Sequence, residues 1–144
     1  MPDPDLARKE YWRPFIKEKL QTEDAILIGH SSGAVSILRY LEESKCKLVI
    51  LVGVYYTDLG DEHEKKRGYF NKPWQWNKIK SNAERIVLFA SRDDPHIPIS
   101  EPLFIKEKIK PEYHEYIDER HFGADVNKTK FPEIITIVKK FIEK

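Results

Sequence analysis

Four short apolar runs punctuate the chain, at residues 25–28, 48–54 and 86–90 and, less strongly apolar, 113–117. The first three are near-continuous rather than alternating. A strand with one wet face alternates apolar and polar residues, whereas a strand buried on both faces has no need to. Between the runs lie amphipathic stretches. Residues 32–43 carry Val35, Leu38 and Leu41 at helical spacing, and residues 99–110 carry Leu103, Ile105 and Ile109. Residues 131–142 carry Ile134, Ile135, Val138, Phe141 and Ile142 behind Pro132, which suits a first helical turn. Strand and helix in alternation predict an α/β fold with three layers, α/β/α, around a mostly parallel sheet. At 144 residues the chain is expected to form a single domain with one core.

Two segments break the rhythm. Residues 6–20 look helical, but Pro14 interrupts them, which predicts either a kink or a new helix beginning near Arg13. Residues 55–76 are long and rich in charge and aromatics. Such a connection reads either as a lid or binding loop or as a solvated surface insertion.

Charge narrows the partners. With 25 Lys plus Arg against 24 Asp plus Glu, nothing draws the chain to nucleic acid or to an anionic membrane. The apolar runs fall well short of a bilayer's thickness. The opening Met1-Pro2-Asp3-Pro4-Asp5 has neither the basic nor the apolar region of a secretory signal, so a cytoplasmic location is expected. The single cysteine, Cys46, precedes an apolar run and reads as a buried small hydrophobe.

The sharpest chemical signal is Gly29-His30-Ser31-Ser32-Gly33, which follows the run 25–28 and opens the helical stretch 32–43. This is G-x-S-x-G in the strand–turn–helix context that gives the pattern meaning. Such a turn strains the backbone at Ser31 and lifts its Oγ out of the sheet. Side chains at Gly29 and Gly33 are expected to clash with the turn and the neighbouring strand. The Ser32 N–H is then aimed at a developing oxyanion. Ser32 is not the motif's centre, because His30 stands where its first glycine would be.

A serine hydroxyl needs a general base, and in this architecture the order along the chain is Ser, acid, His. The partners belong in loops at the carboxyl ends of later strands. Run 86–90 is followed by Ser91-Arg92-Asp93-Asp94-Pro95-His96-Ile97-Pro98, so Asp93 or Asp94 can orient the base. Asp94 is preferred because it directly precedes Pro-x-x-Pro. Run 113–117 is followed by Asp118-Glu119-Arg120-His121, which makes His121 the candidate base. His114 lies inside a strand, and His63 and His96 read as surface histidines. Asp118 lies too close in sequence to reach the imidazole from the usual side. His30 is expected to shape the pocket. No metal-binding pattern, dinucleotide fingerprint or phosphate loop is present, and no cofactor is expected.

At Gly29-His30-Ser31-Ser32-Gly33-Ala34 the chain also resembles the retinoblastoma-binding protein 9 family of serine hydrolases. The likeness continues through Thr57-Asp58-Leu59-Gly60-Asp61-Glu62, Gly68-Tyr69-Phe70, Pro73-Trp74-Gln75-Trp76, Asp93-Asp94-Pro95 and His121-Phe122. The resemblance implies a compact α/β-hydrolase with its triad on Ser31, Asp94 and His121. Three departures stand out. The family begins with a further strand, glycine-rich loop and helix ahead of Met-Pro-Asp-Pro, so an N-terminally truncated form is expected, lacking a second oxyanion donor. Residues 20–24, Leu-Gln-Thr-Glu-Asp, lack the cysteine of Leu-x-Cys-x-Glu, so retinoblastoma pocket-protein binding does not carry over. Arg120 stands where a glycine usually precedes the base.

The expected reaction is hydrolysis of a small ester or amide through an acyl-enzyme. Phe70, Trp74 and Trp76 are candidates for the substrate pocket; the other reading of the tryptophans is that they only anchor a lid onto the body. The alternative is a catalytically impaired hydrolase fold that acts as a protein-interaction module.

Overall fold

A computed structural model describes all of residues 1–144. Its centre is a four-stranded, wholly parallel sheet of β1 (Ile26–His30), β2 (Cys46–Val52), β3 (Ala83–Ser91) and β4 (Glu112–Tyr116). The strands lie side by side in sequence order, β1-β2-β3-β4. Parallel neighbours need crossover connections, and here these include α2 (Ser32–Leu41), α3 (Glu62–Arg67), α4 (Trp76–Ser81) and α5 (Ser100–Ile109). The first helix, α1 (Lys9–Lys19), precedes the sheet, and α6 (Pro132–Ile142) closes the chain.

The near-continuous apolar runs have the expected cause. In β2, Val49 and Leu51 face the larger core with Leu27, Ile86 and Leu88 and the buried faces of α2 and α5. Leu48, Ile50 and Val52 face the other way, with Val87, Phe89 and Ile137 of α6. Both sets are almost wholly inaccessible, so three layers form around the sheet. The central strands β2 and β3 are wrapped on both faces, while β1 and β4 are edges. β1 leaves Ile28 exposed.

Several boundaries differ from expectation for local reasons. β2 ends at Val52 rather than at residue 54, because Gly53 takes φ +59° and turns the chain out of the sheet. α1 runs as one helix through Pro14, so no new helix begins at Arg13. Residues 55–76 are not structureless. They contain α3, whose N-cap Asp61 accepts from His63 N and Glu64 N, and the first residue of α4. Both helices are only six residues long, too short to leave a clear hydrophobic period. No helix is long and apolar enough to cross a membrane. Cys46 is buried, and burial pushes its thiol up to about 11.

Candidate active site

The turn from β1 into α2 is tight and strained. Ser31 adopts φ +54° and ψ −119°, and its N–H donates to Val52 O at 2.9 Å across the sheet. Positive φ is costly for an L-residue, by about 1–2 kcal/mol, so the surrounding structure must impose it. The side chain of Ser31 makes no capping bond to the helix and remains available. Gly29 is needed for space: a Cβ there would lie 2.7 Å from Ala34 N and Gly33 C, both backbone atoms. Gly33 is different. A Cβ at that position would meet nothing within 4 Å, so the clash expected there is absent.

The loops after β3 and β4 meet beside this turn. Asp94 Oδ2 is 2.7 Å from His121 Nδ1, and its Oδ1 accepts from His96 N and Ile97 N at 2.8 and 3.0 Å. Asp94 is 3% exposed at its side chain, so water does not compete for these bonds. Burial alone would raise its pKa. The hydrogen bonds from His121 and from the two backbone N–H groups outweigh burial and hold the carboxyl below its ordinary range.

Asp93 does a different job. Its Oδ1 accepts from Ser91 Oγ at 2.7 Å and from Arg120 N at 2.8 Å, while Ser91 Oγ accepts from Glu119 N at 3.0 Å. It therefore ties the β3 loop to the β4 loop without touching the imidazole. Arg120 takes φ +44°, the left-handed conformation that glycine adopts without strain, and Phe122 on the other side of His121 takes φ +57°. Asp125 accepts from His121 N at 3.1 Å and pairs with Arg120. The His121 position is thus held by two strained neighbours and two carboxylates.

His30 projects from the turn toward the same loop. Its Nε2 lies 2.7 Å from the carbonyl oxygen of His121, and since a carbonyl only accepts, that nitrogen carries the proton. Burial lowers the His30 pKa. The rings of His30 and His96 lie 4.7 and 5.1 Å from that of His121.

Ser31, Ser32 and His121 line one cavity of about 600 Å³. Its far wall comes from residues 55–67, with Tyr55, Leu59, His63, Glu64 and Arg67 facing in. Phe70, Trp74 and Trp76 do not line this cavity. Trp74 and Trp76 stack on each other at 5.4 Å and pack on the larger core. The Trp74 indole N–H donates to Tyr56 O, and the Arg39 guanidinium lies 3.6 Å over its ring. The buried Arg39 also donates to the carbonyls of Tyr69, Lys72 and Pro73 and pairs with Glu42. These aromatics pack the segment onto the body, as the anchoring reading expects, and lie outside the cavity that holds Ser31. No three His, Cys, Asp or Glu side chains converge as a metal cage would require.

Gly53 is a site residue that no motif in the sequence marks. Gly53 ends β2 against the imidazole, where a Cβ would lie 3.3 Å from His121 Cε1. The available signal was a glycine directly after an apolar strand, at the sheet edge where ligands gather.

A parallel sheet wrapped on both faces, a strained serine between strand and helix, and an Asp–His pair on the later loops define an α/β-hydrolase. The serine hydrolase family model matches residues 2–140, and the chain belongs to that family of enzymes. It is 41% identical over 143 residues to Serine hydrolase RBBP9 of Rattus norvegicus, covering 99% of this chain and 75% of the rat protein. YdeN of Bacillus subtilis is 27% identical over 153 residues, covering 100% of this chain and 78% of YdeN. The crystal structure of the B. subtilis ydeN product superposes with a TM-score of 0.87 at 25% identity, over 100% of this chain and 80% of that one.

Proposed function

We propose that this hydrolase cleaves a small ester or amide through an acyl-enzyme, with Ser31 as nucleophile, His121 as general base and Asp94 as its orienting acid. The observation that carries this reading is the 2.7 Å contact between Asp94 Oδ2 and His121 Nδ1, beside a serine held at φ +54° in the same cavity. With Nδ1 engaged, the proton on that nitrogen fixes the tautomer, and Nε2 is left basic. His121 Nε2 takes the Ser31 proton as Oγ attacks the substrate carbonyl. The oxyanion is met by the N–H of Ser32, the first residue of α2, where the helix leaves its N–H groups without intrahelical acceptors. The tetrahedral intermediate collapses, His121 returns the proton to the leaving oxygen or nitrogen, and Ser31 holds the acyl group. Water activated by His121 then releases the acid. Asp94 remains ionised throughout and stabilises the imidazolium.

The test is labelling by a fluorophosphonate, which reacts with an activated serine. The chain is expected to label at one site, Ser31→Ala to lose the label, and His121→Ala to label at a greatly reduced rate. Undiminished labelling of Ser31→Ala overturns the assignment. A chain that never labels favours the interaction-module alternative.

A further inference from the structure

Helix α3 reaches the nucleophile turn through a closed ring of hydrogen bonds beside Ser31. Arg67 Nη1 donates to Ser32 Oγ and to Glu64 Oε1, the latter at 2.7 Å. Tyr55 Oη donates to Glu64 Oε2 at 2.8 Å and lies 3.2 Å from Ser32 Oγ. These contacts fix every proton in the ring. A guanidinium only donates and a carboxylate only accepts. Tyr55 uses its single proton on Glu64, so the Ser32 hydroxyl accepts from Arg67 and donates to Tyr55. The ring is largely shielded: Tyr55 is 1% exposed, and the Arg67 and Glu64 side chains are 20% and 14% exposed. Burial pushes the Tyr55 phenol far above its usual range, so it keeps the proton that the ring requires.

We infer that Arg67 is a positioning residue for the oxyanion donor at Ser32, a role that rests on the reading of Ser31 as nucleophile. The Ser32 N–H must be held still, and unoccupied, when charge appears on the substrate oxygen. A loose serine hydroxyl at a helix start turns among rotamers and bonds to nearby backbone groups. Here that hydroxyl is pinned from two sides, so it neither swings toward Ser31 nor competes for the substrate oxygen. A serine Oγ lies within about 4 Å of its own backbone N in any rotamer. The guanidinium therefore stands within about 6 Å of the N–H, close enough for an oxyanion there to feel its charge. Glu64 offsets part of that charge but is one bond further from Ser32, so the ring turns its positive end toward the nucleophile. Two further carboxylates stand nearby and stay ionised: Asp61, which lines the cavity and caps α3, and Asp94, which holds His121. Arg67 keeps this place although its own Nε is buried without a partner.

The test uses the 144-residue chain, p-nitrophenyl acetate as substrate and a fluorophosphonate as label. Arg67→Ala is expected to lower kcat about tenfold with KM changed less than about twofold, and to slow labelling by a similar factor. Added guanidinium ion at non-denaturing concentration is expected to restore part of the rate, and Arg67→Lys to retain more activity than Arg67→Ala. Unchanged kcat in a folded Arg67→Ala protein overturns the inference. So does a loss confined to KM. If Arg67→Ala fails to fold, Arg67→Gln, which keeps most of the length without the charge, is read in the same way. Ser31→Ala separates the two levels. Turnover that survives it defeats the nucleophile assignment itself. An inert Ser31→Ala beside an unimpaired Arg67→Ala defeats only the role of Arg67.

Discussion

Replacing Gly53 by alanine probes the proposed base, His121, from behind. Two costs are expected. The backbone there has φ +59°, and an alanine held in the left-handed region costs about 1–2 kcal/mol. For a chain of this size that corresponds to a drop of roughly 3–8 °C in Tm. The added methyl would also stand 3.3 Å from His121 Cε1, tighter than an ordinary carbon contact, and 3.4 Å from Nδ1, at the near limit of one. The ring is bonded to Asp94 and flanked by the rings of His30 and His96, so it can yield only by moving relative to Ser31. A misplacement of about 1 Å costs on the order of 10²-fold in rate, so a shift of a few tenths of an ångström should lower kcat about three- to tenfold. Gly60→Ala is the control. Its φ is +71°, but a Cβ there meets nothing within 4 Å, so it should lose stability without losing rate. Thermal unfolding by circular dichroism and steady-state esterase rates on both variants decide the matter. Equal kcat in the two variants would refute the claim that Gly53 sets the position of the imidazole.

Arg39→Ala should destabilise the fold by about 3–5 kcal/mol in urea unfolding, because Glu42 would remain buried without its partner and three loop carbonyls would lose their donor. Trp76→Ala should lower Tm while leaving KM for bulky aromatic esters unchanged, since the indole packs on Trp74, Tyr56 and Phe104 rather than in the cavity. His30 is open to solvent on one side, but desolvation on its His121 side lowers its pKa, so over the window below the ordinary histidine value the unfolded chain binds more protons than the folded one. Stability from this group is therefore complete above about pH 6.5 and is lost as pH falls through the folded pKa; His30→Gln should flatten that limb in chemical unfolding measured across pH.

Much of the architecture was legible because burial on both faces leaves a mark in sequence. Leu48 to Val52 could be read as a strand without any partner in view, and Val35, Leu38 and Leu41 as one face of a helix. The position of each loop relative to its strand followed, and with it the candidates Ser31, Asp94 and His121. What the sequence withheld depends on distance in space. Gly33 looked as constrained as Gly29, yet only Gly29 has backbone atoms within 3 Å of a would-be Cβ. The aromatic cluster 70–76 has the same composition whether it grips a ligand or an arginine, and here it grips Arg39. Arg67 and Tyr55 fall in the stretch 55–76 that reads as a candidate binding loop, but nothing in the sequence picks out either residue. Their meeting with Ser32 joins three separate stretches of chain and needs the helix α3, whose six residues show no period.

The strand order carries a consequence for how the enzyme comes to be active. Because each strand lies next to its predecessor in the chain, the sheet can grow one strand at a time in the direction of synthesis, and each addition closes only the loop just made. Of these four strands, β1 leads into Ser31 before the other three are made, whereas His121 follows β4. The proposed catalytic groups are therefore complete only when the final third of the chain has docked. Reactivity of the serine would then report completed folding, and a nascent or partly unfolded chain would carry its nucleophile without the means to use it.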